Sequence, residues 1–502
     1  MPTGLFCAND MPDTPPSTTL AATLRRETPW FILYLSLFLL IYGYAILRLG
    51  MHVDDVYDFG GEETGLYAAA GRWGVVLWRS IFEPGACVWA AGIVSALLIS
   101  LSIILQTHLL RLTGSLPRLV YGGFYLGCIQ FSHMLQFSFL CDAVAASFIA
   151  VTGSVWMLQK AGLKSWLLSV LLLVPAFGIY QATAFYFAAL FVLCELRRMQ
   201  LQEAEGMRRR VGKFILTGLS AAIIWYIIKI AAVHLSLVTE AQLTYAEGYQ
   251  SSLTCWPEFL QATPQGKAEI ILNVFMIGYP GQWVSLSAII ALIILYKRYK
   301  QDSGKRRAMG SLLLMAALCI IPYALGILLL RQQTPWTFIA EPLMLAGFWG
   351  LVAAAPERLT PKALHILLIF LAFILVKALY GVSAQAKEEA LRHDICVAEL
   401  RAMHNAALAT ARQNGAEASE IILIGEPMNR QQVPDSAAES TLTWSNMLYY
   451  YLRHLKLANR MRIGTNSFYT EHKAEFDAMP IWPAPGSVVN TGNQVIIKIG
   501  PQ

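Results

Sequence analysis

Trp30 to Leu49 reads WFILYLSLFLLIYGYAILRL, and the chain continues GMHVDDVYDF from Gly50 to Phe59. Twenty residues with one charge, Arg48, close to the end suffice to carry an α-helix through a hydrocarbon core about 30 Å thick. In that solvent the backbone must satisfy its own hydrogen bonds, so the run takes helical form. It fixes the chain as a membrane protein and puts two neighbouring carboxylates, Asp54 and Asp55, just past the point where the helix leaves the lipid. Acids beside lipid are costly unless solvated or paired, which makes this pair a candidate for chemistry. A solvated loop that happens to carry acids accounts for the spacing equally well.

Composition agrees with the opening run. Of the 502 residues 56% are hydrophobic and only 14% charged, and the mean hydropathy is +0.50, far outside the range of a soluble domain. The net charge of +6 does not point to nucleic acid. The basic residues sit in short loops between apolar runs and read as topology signals.

About eleven spans follow from the apolar runs: 30–49, 87–110, 118–136, 142–158, 165–179, 181–196, 214–234, 282–296, 309–330, 336–354 and 363–380. The loops alternate in charge. One set holds Arg25 and Arg26, Arg111 and Arg118, Lys160 and Lys164, the Arg197–Lys213 and Lys297–Arg307 segments, and Arg358 with Lys362. The excess of Lys and Arg assigns that set to the cytoplasm, with the N-terminus inside, the C-terminal segment outside and the acidic pair facing outward. The first thirty residues lack the pattern of a removable signal peptide, so the first span is expected to stay as an anchor. Eight scattered cysteines and nine histidines imply neither a disulfide framework nor zinc.

Two domains are expected: a multi-span unit over 1–380 with an outer loop at 50–86, and a small α/β unit over 381–502, where charges, prolines and alternating patterns take over. In the second, Ala384 to about Gln413 predicts a helix, Ile421–Ile424 a buried strand, Trp444–Leu457 a helix, and Val488–Ile499 a hairpin around Asn490-Thr491-Gly492-Asn493. In the outer loop, Leu66, Ala70, Trp73, Leu77 and Ile81 recur at helical spacing, with Arg72 and Arg79 on another face. That pattern predicts an amphipathic helix along the membrane interface whose arginines meet a lipid phosphate. Further polar residues gather at the outer edge: His133 and Asp142, Tyr180 and Gln181, Lys229, and Arg331. Snorkelling explains a single cation near a helix end. Their coincidence on one side suits a site that takes a phosphate-bearing lipid from the bilayer.

The outward Asp54-Asp55 pair, Gly71-Arg72-Trp73, Gly178-Ile179-Tyr180-Gln181-Ala182, the many spans and the C-terminal tail together resemble the bacterial glucosyltransferase II family, enzymes of the GT-C class that decorate O-antigen. The resemblance implies a mainly α, GT-C-like polytopic protein. Its implied reaction moves a sugar, typically glucose, from a polyprenyl-phosphate carrier to a surface polysaccharide on the periplasmic side.

The residues fit that chemistry. Asp54 or Asp55 accepts the proton of the acceptor hydroxyl, which attacks the anomeric carbon opposite the leaving phosphate and inverts its configuration. Arg72, Arg331, Lys229 and Arg79 are candidates to hold the donor phosphate, and Tyr180, Gln181, His133 and Asp142 to hold acceptor or sugar. Whichever acid is not the base orients the acceptor or a divalent ion, and the sequence establishes no metal requirement. Two other readings stay open. A lipid-linked glycan transporter or flippase also has many spans, but concentrates ionisable groups near the midplane. A noncatalytic scaffold needs only the spans and tail and leaves the acidic loop unexplained.

Overall fold

The computed structural model describes residues 20–48, 64–82, 88–128, 130–136, 140–203, 205–235, 238, 243, 256–274, 282–329, 337–355, 359–413, 420–424, 461–463, 472–491 and 494–499. Their helices are α1 (Leu20–Arg48), α2 (Thr64–Ala69), α3 (Trp73–Ile81), α4 (Val88–Leu109), α5 (Ser115–Leu126), α6 (Gln130–Gln136), α7 (Cys141–Leu158), α8 (Leu163–Ile179), α9 (Thr183–Gln200) and α10 (Met207–His234). After these come α11 (Trp256–Gln261), α12 (Pro264–Val274), α13 (Gln282–Ile320), a 3-10 turn at Ile321–Tyr323, α14 (Ala324–Leu329), α15 (Glu341–Ala353), α16 (Pro361–Gln413) and α17 (Lys473–Ala478).

Among the described residues, six helical stretches are long and apolar enough to cross a membrane: Arg25–Leu47, Trp89–Leu109, Cys141–Leu158, Met207–His234, Ala308–Leu329 and Pro361–Lys387. Two shorter apolar helices, α8 and α15, accompany them. The 118–136 run is divided between the short helices α5 and α6. The 336–354 run contains the 13-residue α15, whose residues are all buried within the protein. Phe124 of α5 stacks on its Trp349 at 5.2 Å.

The 282–296 and 309–330 runs meet in one helical run, α13, across the basic segment where the sequence predicts a loop. Ser287 near its start accepts a hydrogen bond from Trp349 Nε1 (3.2 Å), and Tyr323 just past its end donates to Glu341 Oε1 (3.4 Å). Glu341 and Trp349 lie about 12 Å apart along α15, whereas Ser287 and Tyr323 would be about 54 Å apart on a straight helix. The run therefore bends strongly, with Tyr299 donating to the Leu196 carbonyl (2.7 Å) at the end of α9.

Inside the bundle, polar groups are satisfied by one another. Gln106 of α4 donates to Ser102 (2.6 Å) and Tyr186 (2.5 Å) and accepts from Tyr121 (2.7 Å). Tyr125 and Tyr186 share a further hydrogen bond. Such bonds join α4, α5 and α9 where no water competes. At the basic end, Glu27 pairs with Arg118 (2.8 Å) and Glu195 with Arg210 (2.7 Å).

α16 continues for 53 residues, so the expected boundary near residue 380 falls within a helix, at a change of composition along it. Leu400, Met403, Ala407 and Ala411, spaced by three and four, cover one face of a four-stranded sheet. The strands are β1 (Glu420–Ile424), β2 (Met461–Ile463), β3 (Val488–Asn490) and β4 (Gln494–Lys498), in the order β2-β1-β4-β3. β1 runs parallel to β2 and β4, and β3 and β4 form the antiparallel hairpin, Val489 opposite Ile496. Ile422, Ile424 and Ile496 face the other way, onto Phe476 and Met479. Lys498 Nζ donates to the Phe476 (2.7 Å) and Met479 (2.9 Å) carbonyls, closing the end of α17. The helix expected at Trp444–Leu457 lies outside the described residues.

Candidate functional site

The expected amphipathic helix is two helices, α2 and α3, divided at Gly71. Gly71 has φ +78°, and a Cβ there would also lie 2.6 Å from the Trp225 ring. Conformation and close approach both call for glycine. Trp225 Nε1 donates to the Gly71 carbonyl (2.8 Å), fixing the turn to α10. Of the expected stripe, Leu77 and Ile81 are exposed, whereas Trp73 packs against Gly178; Gly74, Val75 and Arg79 are buried.

The two short motifs touch. A Cβ on Gly74 would stand 2.6 Å from the Gly178 carbonyl carbon, and one on Gly178 would stand 2.6 Å from the Trp73 ring. α3 therefore lies directly on the end of α8. Gln181 Nε2 donates to the Ala70 carbonyl (3.0 Å), and the Arg72 guanidinium sits over the Tyr180 ring, 5.6 Å from its centroid. Arg72 is half-buried and has no ion pair among the described residues. Trp73 Nε1 is buried without a hydrogen-bond partner among them. Lys229, half-buried on α10, lies one turn beyond Trp225 and so on the same flank.

Arg79 and Asp142 are placed differently. Arg79 gives a two-pronged hydrogen bond to Asp142, Nη2 to Oδ1 at 2.5 Å and Nη1 to Oδ2 at 3.0 Å. Trp78 Nε1 (3.0 Å) and the Ala143 N–H (2.8 Å) donate to the same carboxylate. Both side chains are almost wholly buried. Four donors saturate the acid and the acid neutralises the arginine, so the pair fastens α3 to the start of α7.

His133 stands apart from both groups, on α6, where its Nδ1 faces Gln385 Nε2 of α16 at 3.3 Å. Asp54, Asp55 and Arg331 lie outside the described residues. Sequence reasoning passed over Trp225 and Trp78, whose indole N–H groups meet their partners, Gly71 and Asp142, only across the fold. It also passed over Glu341, whose signal is plain: an acid inside an apolar run. Among the described residues no three His, Cys, Asp or Glu side chains converge as a metal site.

The ends of α7, α8 and α9 orient this region. Asp142 begins α7 and Lys160 follows its end; Lys164 begins α8 and Tyr180 follows its end; α9 starts at Thr183 and ends with Arg197 and Arg198. The Arg72–Tyr180 and Arg79–Asp142 groups thus share the end of the bundle opposite its basic loops.

No curated protein and no solved structure matches the chain. Residues 43–345, more than half of it, match the family described as Glucosyl transferase GtrII, and both touching motifs fall within that match. The chain is a polytopic membrane protein that belongs to the GtrII glucosyltransferase family.

Proposed function

We infer that this glycosyltransferase moves a sugar, glucose by its family, from a polyprenyl-phosphate carrier to O-antigen or another surface polysaccharide at the periplasmic face of a bacterial inner membrane. The observation that carries the reading is the contact between Gly71-Arg72-Trp73 and Gly178-Ile179-Tyr180-Gln181, which leaves Arg72 against an aromatic ring, with no ion pair among the described residues, at the end opposite the basic loops. A guanidinium so placed offers a planar fork to a phosphate. The orientation follows from the basic loops facing the cytoplasm, and residues 381–502 then form a periplasmic α/β domain.

Arg72, with Arg331 and Lys229, holds the donor phosphate. Asp54 or Asp55 takes the proton of the acceptor hydroxyl as its oxygen bonds to the anomeric carbon. The bond from that carbon to the phosphate oxygen breaks on the opposite face, so configuration inverts. Polyprenyl phosphate leaves as an anion, stabilised by the cations, and needs no general acid. The other Asp orients the acceptor or a divalent ion. Arg79 and Asp142 position α3 and do not touch substrate.

The test is transfer by purified protein from polyprenyl-phosphate sugars to isolated polysaccharide, with the product analysed by mass. Asp54→Asn or Asp55→Asn should lower transfer by about 10²-fold or more at matched levels of folded protein. Near-parental transfer in both single variants and the double variant would remove the pair from catalysis, and a parental protein that moves intact lipid-linked sugar across the membrane without transferring it would make this a transporter. Orientation is read separately: a cysteine placed at Glu62 should react with an impermeant reagent in spheroplasts, and one at Glu203 should not. The reverse pattern puts the site in the cytoplasm.

A further inference from the structure

A second polar group gathers at the same end of the bundle and has no part in the scheme above. Glu341 opens α15 and is buried. Its Oε2 accepts from Gln130 Nε2 of α6, and its Oε1 accepts from the Tyr323 hydroxyl (3.4 Å). Gln130 and His133 stand one turn apart on α6 and share a face. On that face Gln385, in the last turn of the Pro361–Lys387 span, donates to His133 Nδ1 (3.3 Å) and accepts from the Ser132 hydroxyl (3.0 Å). A strip of acid, amides, imidazole and hydroxyls thus runs across α6, the 3-10 turn, α15 and α16. α1, from whose end the chain proceeds to Asp54 and Asp55, meets the strip at Tyr42 and Phe131, ring centroids 6.2 Å apart.

An acid within an apolar helix of a membrane protein is costly, and its retention marks function by default. The chemistry of the strip selects the ligand. A carboxylate repels the carrier phosphate, so this is not a second phosphate clamp. A pyranose ring presents neighbouring hydroxyls that both donate and accept. A carboxylate takes two such protons at once, and a side-chain amide offers a donor and an acceptor together. The His133 ring lies beside these groups, its Nδ1 on the Gln385 amide, and an imidazole can also bond to a hydroxyl.

The geometry points to Glu341, with Gln130, His133 and Gln385, as the sugar-recognition strip that sets which hexose the enzyme accepts. This rests on the glycosyltransferase reading above and adds to it a specificity site separate from the phosphate-binding arginine.

The experiment compares binding of polyprenyl monophosphate with binding of the same lipid bearing glucose, using full-length protein in detergent, alongside transfer. The parental protein should bind the glucosylated lipid more tightly than the bare lipid phosphate. Glu341→Gln should lose that gain, roughly tenfold to a hundredfold, the scale of hydrogen bonds to a charged group. Its binding of the bare phosphate should stay parental, and its discrimination between glucose- and galactose-bearing donors should narrow. Gln130→Met, close in shape but without the donor to Glu341, should shift in the same direction by less. A folded Glu341→Gln with the full glucose-dependent gain, or with equal losses for both lipids, would assign Glu341 to structure. Should that variant not fold, parental gains in both Gln130→Met and Gln385→Met overturn the strip. A parental protein with no glucose-dependent gain and no transfer overturns the glycosyltransferase reading instead.

Discussion

Arg72 and Arg79 lie seven residues apart at the two ends of one short helix, and the structure gives them opposite situations. Arg79 is 8% exposed and bonded through two nitrogens to an equally buried Asp142. Arg72 is half-buried over a tyrosine ring, with no ion pair among the described residues. Identical side chains at the same depth of sequence therefore differ in what remains of their charge. One is consumed in holding α3 on α7, and the other is the one we propose for the donor phosphate. An arginine near lipid becomes a candidate phosphate ligand only when no internal carboxylate reaches it.

The contrast breaks most easily at the buried pair. Removing one partner strands the other charge, so Arg79→Ala or Asp142→Ala should cost about 3–5 kcal/mol of stability, seen as loss of monodisperse protein in detergent and a lower melting temperature. The double variant Arg79→Met with Asp142→Leu should recover most of that stability, because no charge is then buried alone. If the single variants melt like the parent, Arg79 is not the fastening described here.

At Arg72 the effect should fall on function and be smaller. Arg72→Ala gives up a cation–ring contact worth about 0.5–1 kcal/mol, so the fold should survive, while donor binding and transfer fall roughly tenfold to a hundredfold. Lys at this position should restore part of the loss, since it brings charge without the planar fork. Unchanged donor binding in Arg72→Ala would leave the two arginines functionally alike.

The smallest effect sharpens what holds Arg72 in place. Gln181→Met keeps bulk but loses the hydrogen bond to the Ala70 carbonyl, which should cost about 1 kcal/mol of stability and raise the donor KM with little change in kcat. A change confined to kcat would instead move Gln181 into the chemistry.

Membrane character was legible because an apolar run of twenty residues has few other uses, and β1 and the β3–β4 hairpin were legible because a short apolar run and two β-rich runs around Asn490-Thr491-Gly492-Asn493 are local signals, whereas the three-residue β2 passed unread. The number of spans was harder to read. α15 and much of α9 are buried within the protein, and periodicity does not distinguish a helix buried in protein from one facing lipid. In the candidate site, the short motifs could be found in the sequence, but their contact could not. Trp225 reaches Gly71 across 154 positions and Gln130 reaches Glu341 across 211.

What the sequence determined by itself is set by local physics: helices where apolar runs meet lipid, a bundle with basic loops at one end, a glycine where the chain turns with positive φ, and the residue types of a family that transfers glucose. What only the tertiary structure decided is which charges cancel. Arg79 meets Asp142 because α3 packs on the end of α8 through Gly74 and Gly178, and that close approach brings together groups 63 residues apart. Ionic interactions depend on distance and burial and not on order along the chain, so one arginine is a fastening and the other has no ion pair among the described residues.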